Sequence, residues 1–134
     1  MQELKIDIGC GKNTREGYVG IDREDFGQEH VWDVRYGMPF YQDSVDKFYA
    51  SHFLEHLTPP EIVALLDECH GMLKKGGELW VIVPHKDHER ANVLWHQTYF
   101  TEWTFKDLAS YGDWETTELV TNERLDIHWK ALCV

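Results

Sequence analysis

The stretch Leu4-Lys5-Ile6-Asp7-Ile8-Gly9-Cys10-Gly11 decides the fold of this chain. Its apolar run, Leu4–Ile8, predicts a short buried strand, and the Gly-x-Gly motif that follows predicts a sharp turn. Glycine lets the backbone approach a ligand that a side chain would keep away. Asp7 is an acid inside the predicted buried strand, where a carboxylate is unfavourable unless it has a structural or binding role. We therefore expect a ligand site at the carboxyl end of this strand.

Further elements follow in an alternating order. Short apolar runs predict four more strands, at Tyr18–Ile21, His30–Val34, Lys47–Ala50 and Leu79–Val83. A helix is predicted from Pro59 to Leu73, because Thr58 and Glu61 have capping-box spacing and an apolar stripe recurs at three- and four-residue intervals. A second helix is predicted over Glu102–Tyr111, with Thr101 as its cap.

The carboxyl-terminal part has a different pattern. Leu125–Cys133 alternates apolar and polar residues, and Trp114–Thr121 is its expected partner in an antiparallel hairpin. Strands interleaved with helices and followed by a hairpin predict an α/β fold. We expect a compact, Rossmann-like three-layer sandwich with a mostly parallel sheet, formed by residues 1–134 as a single domain.

Composition narrows the function. The net charge of −11 argues against direct nucleic-acid binding, which needs clustered cations, and is compatible with a small-molecule ligand. The cysteines Cys10, Cys69 and Cys133 are too far apart to form a metal-spaced pair, so a reducing, cytoplasmic location is expected. No apolar run is long enough to span a membrane, and no membrane association is expected.

Two polar segments are expected to meet the glycine turn. Asp22 ends the second strand, where an acid can accept two hydrogen bonds from a ribose diol. Ser51 and His52 follow the fourth strand directly. Because ligands in such sheets bind beyond the carboxyl ends of the strands, we expect these side chains to surround one site.

The combination resembles the class I S-adenosylmethionine-dependent methyltransferases, over roughly residues 4–84. The matching segments, in order, are Asp7-Ile8-Gly9-Cys10-Gly11, Gly20-Ile21-Asp22, Asp33-Val34-Arg35 with Met38-Pro39-Phe40, Leu54-Glu55-His56-Leu57 and Leu73-Lys74-Lys75-Gly76-Gly77. The last three resemble the small-molecule branch of the family. The resemblance implies S-adenosylmethionine as cofactor, S-adenosylhomocysteine as product and a small-molecule methyl acceptor.

The resemblance also implies roles for individual residues. The cofactor-binding set would be Asp7, Gly9, Cys10, Gly11, Asp22, Asp33, Val34, Ser51 and His52. Asp22 would hold the ribose hydroxyls, and Asp33 would face the adenine amino group beside the Val34 backbone. The glycine turn would pass under the methionine part, with Asp7 fixing the loop or a bound water. His52 or His85 would be the general base if the acceptor must lose a proton. No metal is expected.

The segment between the first two strands departs from the usual family pattern. Residues 9–17 reach roughly 30 Å when extended, which is enough to return along a strand of about 17 Å but leaves no room for a crossover helix. A subgroup of the family has the same short loop. Asp22 also follows Gly11 more closely than the acid in dinucleotide folds, which argues against a nicotinamide site.

Three alternatives remain open. His52-Phe53-Leu54-Glu55-His56 matches the H-x-x-E-H signature of a zinc protease, although no third ligand is evident. A nicotinamide enzyme is the most distant of the three. A catalytically inactive cofactor-binding subunit that acts through a partner protein is the main rival. The chain has little material for a lid, so we expect the segment His85–Thr101, a second copy or a partner protein to complete the pocket.

Overall fold

The computed structural model describes residues 2–134, which build one seven-stranded sheet. The strands are β1 (Lys5–Ile8), β2 (Val19–Asp22), β3 (His30–Val31), β4 (Val45–Ser51), β5 (Leu73–Pro84), β6 (Trp114–Thr121) and β7 (Asp126–Cys133). The helices are α1 (Pro59–Met72) and α2 (Glu102–Tyr111), with 3-10 turns at Val34–Tyr36, Leu54–His56 and Glu89–Asn92. Neither helix is long and apolar enough to cross a membrane.

The sheet order is β3-β2-β1-β4-β5-β7-β6. The first five strands are parallel, whereas β7 runs antiparallel to both β5 and β6. The predicted Rossmann-like α/β fold, with its mostly parallel sheet and terminal hairpin, is confirmed. The order steps outward from β1 to β2 on one side and to β4 on the other, so the carboxyl ends of β1, β2 and β4 face a common crevice.

Local chemistry explains the principal helix. Thr58 accepts a hydrogen bond from the Glu61 backbone N–H, and the Glu61 carboxylate accepts one from the Thr58 N–H, so both ends of the predicted capping box form. The following strand differs from its prediction, because β5 begins at Leu73 rather than Leu79. Leu73 is already extended and pairs with Val45, but the next pair is Lys47 with Glu78. Residues 74–77, with Gly76 at φ +80°, interrupt the ladder, and continuous pairing begins one residue before the predicted start.

The third strand is shorter than the sequence predicts. Only His30–Val31 pairs with β2, and Val34 opens a 3-10 turn instead of ending a strand. The cause is local, because the Asp33 side chain accepts a hydrogen bond from the Arg35 N–H and caps that turn.

Both helices pack against the same face of the sheet. On β7, Cys133 donates a hydrogen bond through Sγ to the His70 carbonyl of α1, and the Trp129 ring lies 5.2 Å from the Phe105 ring of α2. Cys133 and Trp129 project from the same side of their strand. This face therefore carries the apolar core, with the fully buried Trp129 at its centre.

The opposite face of the sheet is covered by side chains and a loop, where the predicted third layer would lie. Tyr18, Tyr49 and Trp80 form an aromatic row, with ring centroids 5.8 and 4.8 Å apart. The Arg15 guanidinium lies 4.9 Å from both the Tyr49 and Trp80 rings, and Lys130 lies 4.6 Å from Trp80. Neither helix in residues 2–134 covers this row. The face lacks a helix because the loop before β2 is short. This loop brings Arg15 across the sheet where a crossover helix would otherwise lie.

Candidate functional site

A cleft of about 380 Å³ lies at the carboxyl ends of β1, β2 and β4. Its lining comes from the ends of these strands and from the segments that face them: Gly9, Ile21, Asp22, Arg23, Trp32, Asp33, Val34, Arg35, His52, Phe53, His56, Leu57, Trp95 and Gln97. The volume falls within the range of small-molecule sites. The cleft combines an apolar floor with carboxylate, guanidinium and imidazole groups.

The glycine turn forms one end of the cleft. Gly9 has a φ of +65°, and its N–H donates to the Ile21 carbonyl at 2.9 Å, which closes the turn against β2. A Cβ on Gly9 would lie 2.7 Å from Cγ of Phe53, so only glycine fits beneath that ring. Gly11, at φ +62°, would meet nothing within 4 Å. Glycine is therefore required at Gly9 for both conformation and space.

Asp7 supports the turn from the sheet. It is buried, and its Oδ2 accepts a hydrogen bond from the Arg15 N–H at 2.8 Å, while burial raises the pKa of its carboxyl group. Asp7 does not line the cleft. Its observed contact is the one expected of a residue that fixes the loop.

Asp22 and Asp33 present carboxylates to the cleft. Asp22 Oδ2 accepts from the Gly11 N–H at 3.0 Å, and its Oδ1 accepts from the Glu24 N–H at 3.0 Å. Asp33 is held by Arg35, with the shortest contact 2.6 Å between Nη2 and Oδ2. Hydrogen bonds from this guanidinium lower the pKa of Asp33. A carboxylate offers about four acceptor positions. Asp22 accepts two hydrogen bonds and so retains positions for a ligand, whereas Asp33 already accepts from three N–H groups of Arg35 and retains about one.

His52 lies at the mouth of the cleft between two partners. Its Nδ1 is 3.0 Å from Ser51 Oγ, and its Nε2 is 3.1 Å from Asp126 Oδ1. The residue has a φ of +55°, which is unfavourable for a side-chain-bearing residue, and its backbone N–H donates to the Ile82 carbonyl at 2.8 Å. The imidazole is thus oriented from both sides at a strained position of the backbone.

The 3-10 turn after His52 contains a second polar group of interest. Glu55 is only 1% exposed, and its Oε1 has no hydrogen-bond partner in the part of the chain that the structure describes. Burial raises its pKa to about 7. Burial also lowers the pKa of the neighbouring His56, and of His96, which approaches this turn from the segment after β5.

The predicted site residues fall into two groups. Gly9, Asp22, Asp33, Val34 and His52 line the cleft. The others lie behind or beside it, namely Asp7, Cys10, Gly11, Ser51 and His85.

Two members of the second group have partners of their own. Cys10 donates through Sγ to the Gly11 carbonyl, and burial raises the pKa of its thiol. His85 Nε2 lies 3.4 Å from Glu102, and its Nδ1 accepts from the Asp87 N–H. The contacts of His85 are therefore with α2 and its own loop rather than with the cleft.

Several residues of the site have no motif in the sequence. Trp32 and Trp95 flank the cleft with 43% and 68% of their surface exposed. Asp126 reaches His52 from the start of β7, where its Cα pairs with that of Pro84. The hairpin register could have indicated Asp126, because it places the start of β7 beside the carboxyl end of β5.

Comparisons with known proteins agree with this architecture. A family model described as a methyltransferase domain matches residues 13–81, just over half of the chain. A search of curated proteins finds no match. The chain belongs to this methyltransferase family, as its resemblance to the class I S-adenosylmethionine-dependent enzymes predicts. The predicted enzyme class and the family cofactor, S-adenosylmethionine, are thereby confirmed.

Solved structures with the same fold have low sequence identity. A methyltransferase from Archaeoglobus fulgidus is 20% identical with a TM-score of 0.77, covering 97% of this chain and 86% of its own. One from Aquifex aeolicus is 15% identical with a TM-score of 0.73, covering 100% and 85%. A Haloferax volcanii protein, solved with the Trm112 methyltransferase activator, is 13% identical with a TM-score of 0.78, covering 98% and 83%.

The cleft fits S-adenosylmethionine on chemical grounds. Its end at Gly9 has no side chain, and Ile21, Val34 and Leu57 offer apolar surface for a base. Asp22 and Asp33 offer acceptors suited to ribose hydroxyls and an exocyclic amine. Residues of all the required types are therefore present in one small cleft.

Proposed function

We propose that this chain, as a single domain, transfers a methyl group from S-adenosylmethionine to a small-molecule acceptor in the cleft. The observation that carries this proposal is the convergence of Gly9, Asp22 and Asp33 on one cleft with His52 at its mouth. The free cysteines in the described residues 2–134 are consistent with a cytoplasmic location, which we also propose.

Three parts of the cleft would hold the cofactor. Asp22 would accept hydrogen bonds from the ribose hydroxyls, and Asp33 would accept one from the adenine amino group. Gly9 would allow the backbone to approach the methionine part, with Asp7 and Ser51 supporting the surrounding loops. When bound, the cofactor supplies an electrophilic methyl group, so the protein mainly has to align the acceptor and exclude water.

His52 is the proposed general base. An ionised carboxylate can only accept hydrogen bonds, so the contact with Asp126 requires the proton of the neutral His52 ring to be on Nε2. Nδ1 is then the unprotonated, basic atom of the ring. An acceptor hydroxyl or amine near Nδ1 would give its proton to that nitrogen, and Asp126 would stabilise the imidazolium that forms. Ser51 would hold Nδ1 until the acceptor arrives, because its hydroxyl lies 3.0 Å away.

The dimensions and charge of the site favour a small acceptor. The cleft is about 380 Å³ in total, and a net charge of −11 on the chain disfavours a nucleic acid as substrate. Exposed Trp32 and Trp95 at its rim offer flat apolar surfaces suited to an aromatic or cationic acceptor.

A second candidate is a cofactor-binding subunit that acts through a partner protein. Its support is the aromatic row of Tyr18, Tyr49 and Trp80, which neither helix of residues 2–134 covers, and the Haloferax volcanii fold relative that was solved with an activator protein. This alternative predicts cofactor binding without methyl transfer by the isolated chain. A second copy could complete the pocket in the same way.

The test is calorimetric titration of the purified chain with S-adenosylhomocysteine. The wild type should bind, and Asp22→Asn should weaken binding by about 1.5–3 kcal/mol, the value of a hydrogen bond to a charged group. Asp67→Asn is the matched control, because Asp67 is exposed on α1 and does not line the cleft, so its affinity should stay at the wild-type value.

Two results would contradict the proposal. Equal affinity of the wild type and Asp22→Asn would remove Asp22 from the cofactor site. Absence of binding by a folded wild-type chain would exclude both the methyltransferase and the subunit.

A further inference from the structure

Beside the cofactor cleft, Glu55, His56 and His96 form a cluster that the proposed methyl transfer does not use. Their side-chain ligand atoms all lie within 4.8 Å of one another. The His56 and His96 rings meet edge to face, with centroids 4.7 Å apart. The cluster therefore brings one carboxylate and two imidazoles to a single point.

Two of its atoms are buried without a partner. Among the described residues 2–134, Glu55 Oε1 and His96 Nδ1 are inaccessible to solvent and have no hydrogen-bond partner. Leaving a buried polar atom unpaired is costly, and most such atoms in native proteins have a partner. Two such atoms on side chains of one cluster indicate a ligand that the cluster could bind.

The backbone holds the cluster together. The Gln97 N–H donates to the Glu55 carbonyl at 2.8 Å, and Thr98 Oγ1 donates to the Leu57 carbonyl at 2.6 Å. The Gln97 side chain adds a bond to the His56 carbonyl at 3.0 Å. These bonds fasten the segment carrying His96 onto the turn carrying Glu55, so the proximity of the side chains does not depend on their rotamers alone.

We propose that Glu55, His56 and His96 bind a divalent transition-metal ion, of which Zn²⁺ is the best match. Two imidazoles with one carboxylate form a donor set that suits zinc, whereas Mg²⁺ and Ca²⁺ prefer oxygen ligands. Bonds of about 2.0–2.2 Å would draw the three ligand atoms closer by about 1 Å. This differs from the expectation of a metal-free site.

The ligand set also differs from the H-x-x-E-H interpretation. His52 is held by Ser51 and Asp126 and is not a member of the cluster, while Glu55 is a ligand rather than a base. His96, from a separate segment, supplies the third ligand that the motif lacks.

The position of the cluster suggests what the metal would do. His56 lines the cofactor cleft and is exposed, so a metal held by three protein ligands would have an open position on that side. An acceptor oxygen or nitrogen could bind there and be held beside the cleft. This role rests on the proposed function, whereas metal binding itself does not.

The test is titration of the chelator-treated wild-type chain with Zn²⁺, in the absence of any cofactor. One equivalent should bind in the micromolar range or tighter, with no competition from Mg²⁺. Glu55→Gln and His96→Gln should each weaken binding at least about tenfold. His70→Gln is the matched control, since His70 lies in the last turn of α1, contacts the Asp113 carbonyl and is not in the cluster, so the affinity should not change.

A second measurement needs no variant. Zn²⁺ should shift the ring NMR resonances of His56 and His96 and leave those of His70 and His128 in place. Absence of zinc binding, preference for Mg²⁺ or unchanged affinity in both ligand variants would overturn the proposal. A chain that binds Zn²⁺ but not S-adenosylhomocysteine would retain the metal site and exclude the proposed function, so the two failures are distinguishable.

Discussion

At the residue scale, the site depends on polar groups held in unusual positions. His52 keeps a left-handed backbone while both ring nitrogens are engaged, and Glu55 is buried with an unpaired oxygen. Such features cost stability, and they concentrate where a protein binds or reacts. Both lie within one short segment after β4, so we propose this segment as the functional centre of the molecule.

Arg35 controls the ionisation of Asp33. Because its guanidinium hydrogen-bonds the carboxylate, the pKa of Asp33 is lowered in the folded chain. The stabilisation that follows is present above the ordinary pKa of aspartate and is lost as the pH falls through the lowered value. Arg35→Gln should therefore raise the pKa of Asp33 toward its ordinary value and weaken the acid dependence of unfolding.

NMR titration of the Asp33 carboxyl carbon measures this change, and urea denaturation at several acidic pH values measures its effect on stability. Arg90→Gln is the control, since Arg90 is exposed in the segment after β5 and should leave the Asp33 titration unaltered. An Asp33 pKa that is the same with and without Arg35 would contradict this interpretation.

At the element scale, the terminal hairpin contributes to both the core and the site. β7 inserts between β5 and β6, so one strand carries Trp129 into the core and Asp126 to the mouth of the cleft. The hairpin therefore belongs to the same sheet as the strands that form the cleft, and Asp126 contacts His52 although the two residues are 74 positions apart.

Trp129 should be among the most costly residues to truncate. It is 0% exposed and packs against Phe105 and Trp114, so Trp129→Ala should destabilise the chain by about 3–5 kcal/mol. Trp103→Ala is the matched control, because Trp103 on α2 is 69% exposed and its contact with Lys106 is worth less than about 1 kcal/mol. Equal denaturation midpoints for the two variants would refute this packing.

Helices and strands were predictable where the sequence pattern that defines them lies within the element itself. The capping box located the start of α1, and period-two alternation located β7. The start of β5 was missed because the isolated pair of Leu73 with Val45 depends on a distant strand. Gly76 and Gly77 lie in the irregularity between that pair and the continuous ladder from Glu78. The contacts of Asp126 and His96 depend on register and loop packing, which a motif does not contain.

The residues of the candidate site were likewise predictable where a local motif marks them, and not where distant contacts place them. Gly9 and Asp22 follow their strands directly, and the sequence located them at the cleft that the structure contains. His85 was also a candidate in sequence, but its side chain bonds with α2 and its own loop. Local motifs thus predicted residues at strand ends better than residues within long loops.

At the scale of the whole molecule, the two faces of the sheet differ: α1 and α2 pack on one face, and neither helix of residues 2–134 packs on the other. The α1 and α2 side buries the core, and the other side is covered by the loop at residues 9–17 and by the aromatic row with its stacked cations. This arrangement retains the carboxyl edge of the sheet, where the cofactor is expected, with few residues beyond it. We therefore propose that the rim of the cleft or a second protein recognises the acceptor.

The most direct test of the central claim is a crystal structure of the chain with S-adenosylhomocysteine. We expect the ligand in the cleft beside Gly9, with its ribose hydroxyls within hydrogen-bond distance of Asp22 and its adenine amino group near Asp33. A ligand bound outside that cleft, or crystals grown at saturating ligand with no density there, would contradict the account.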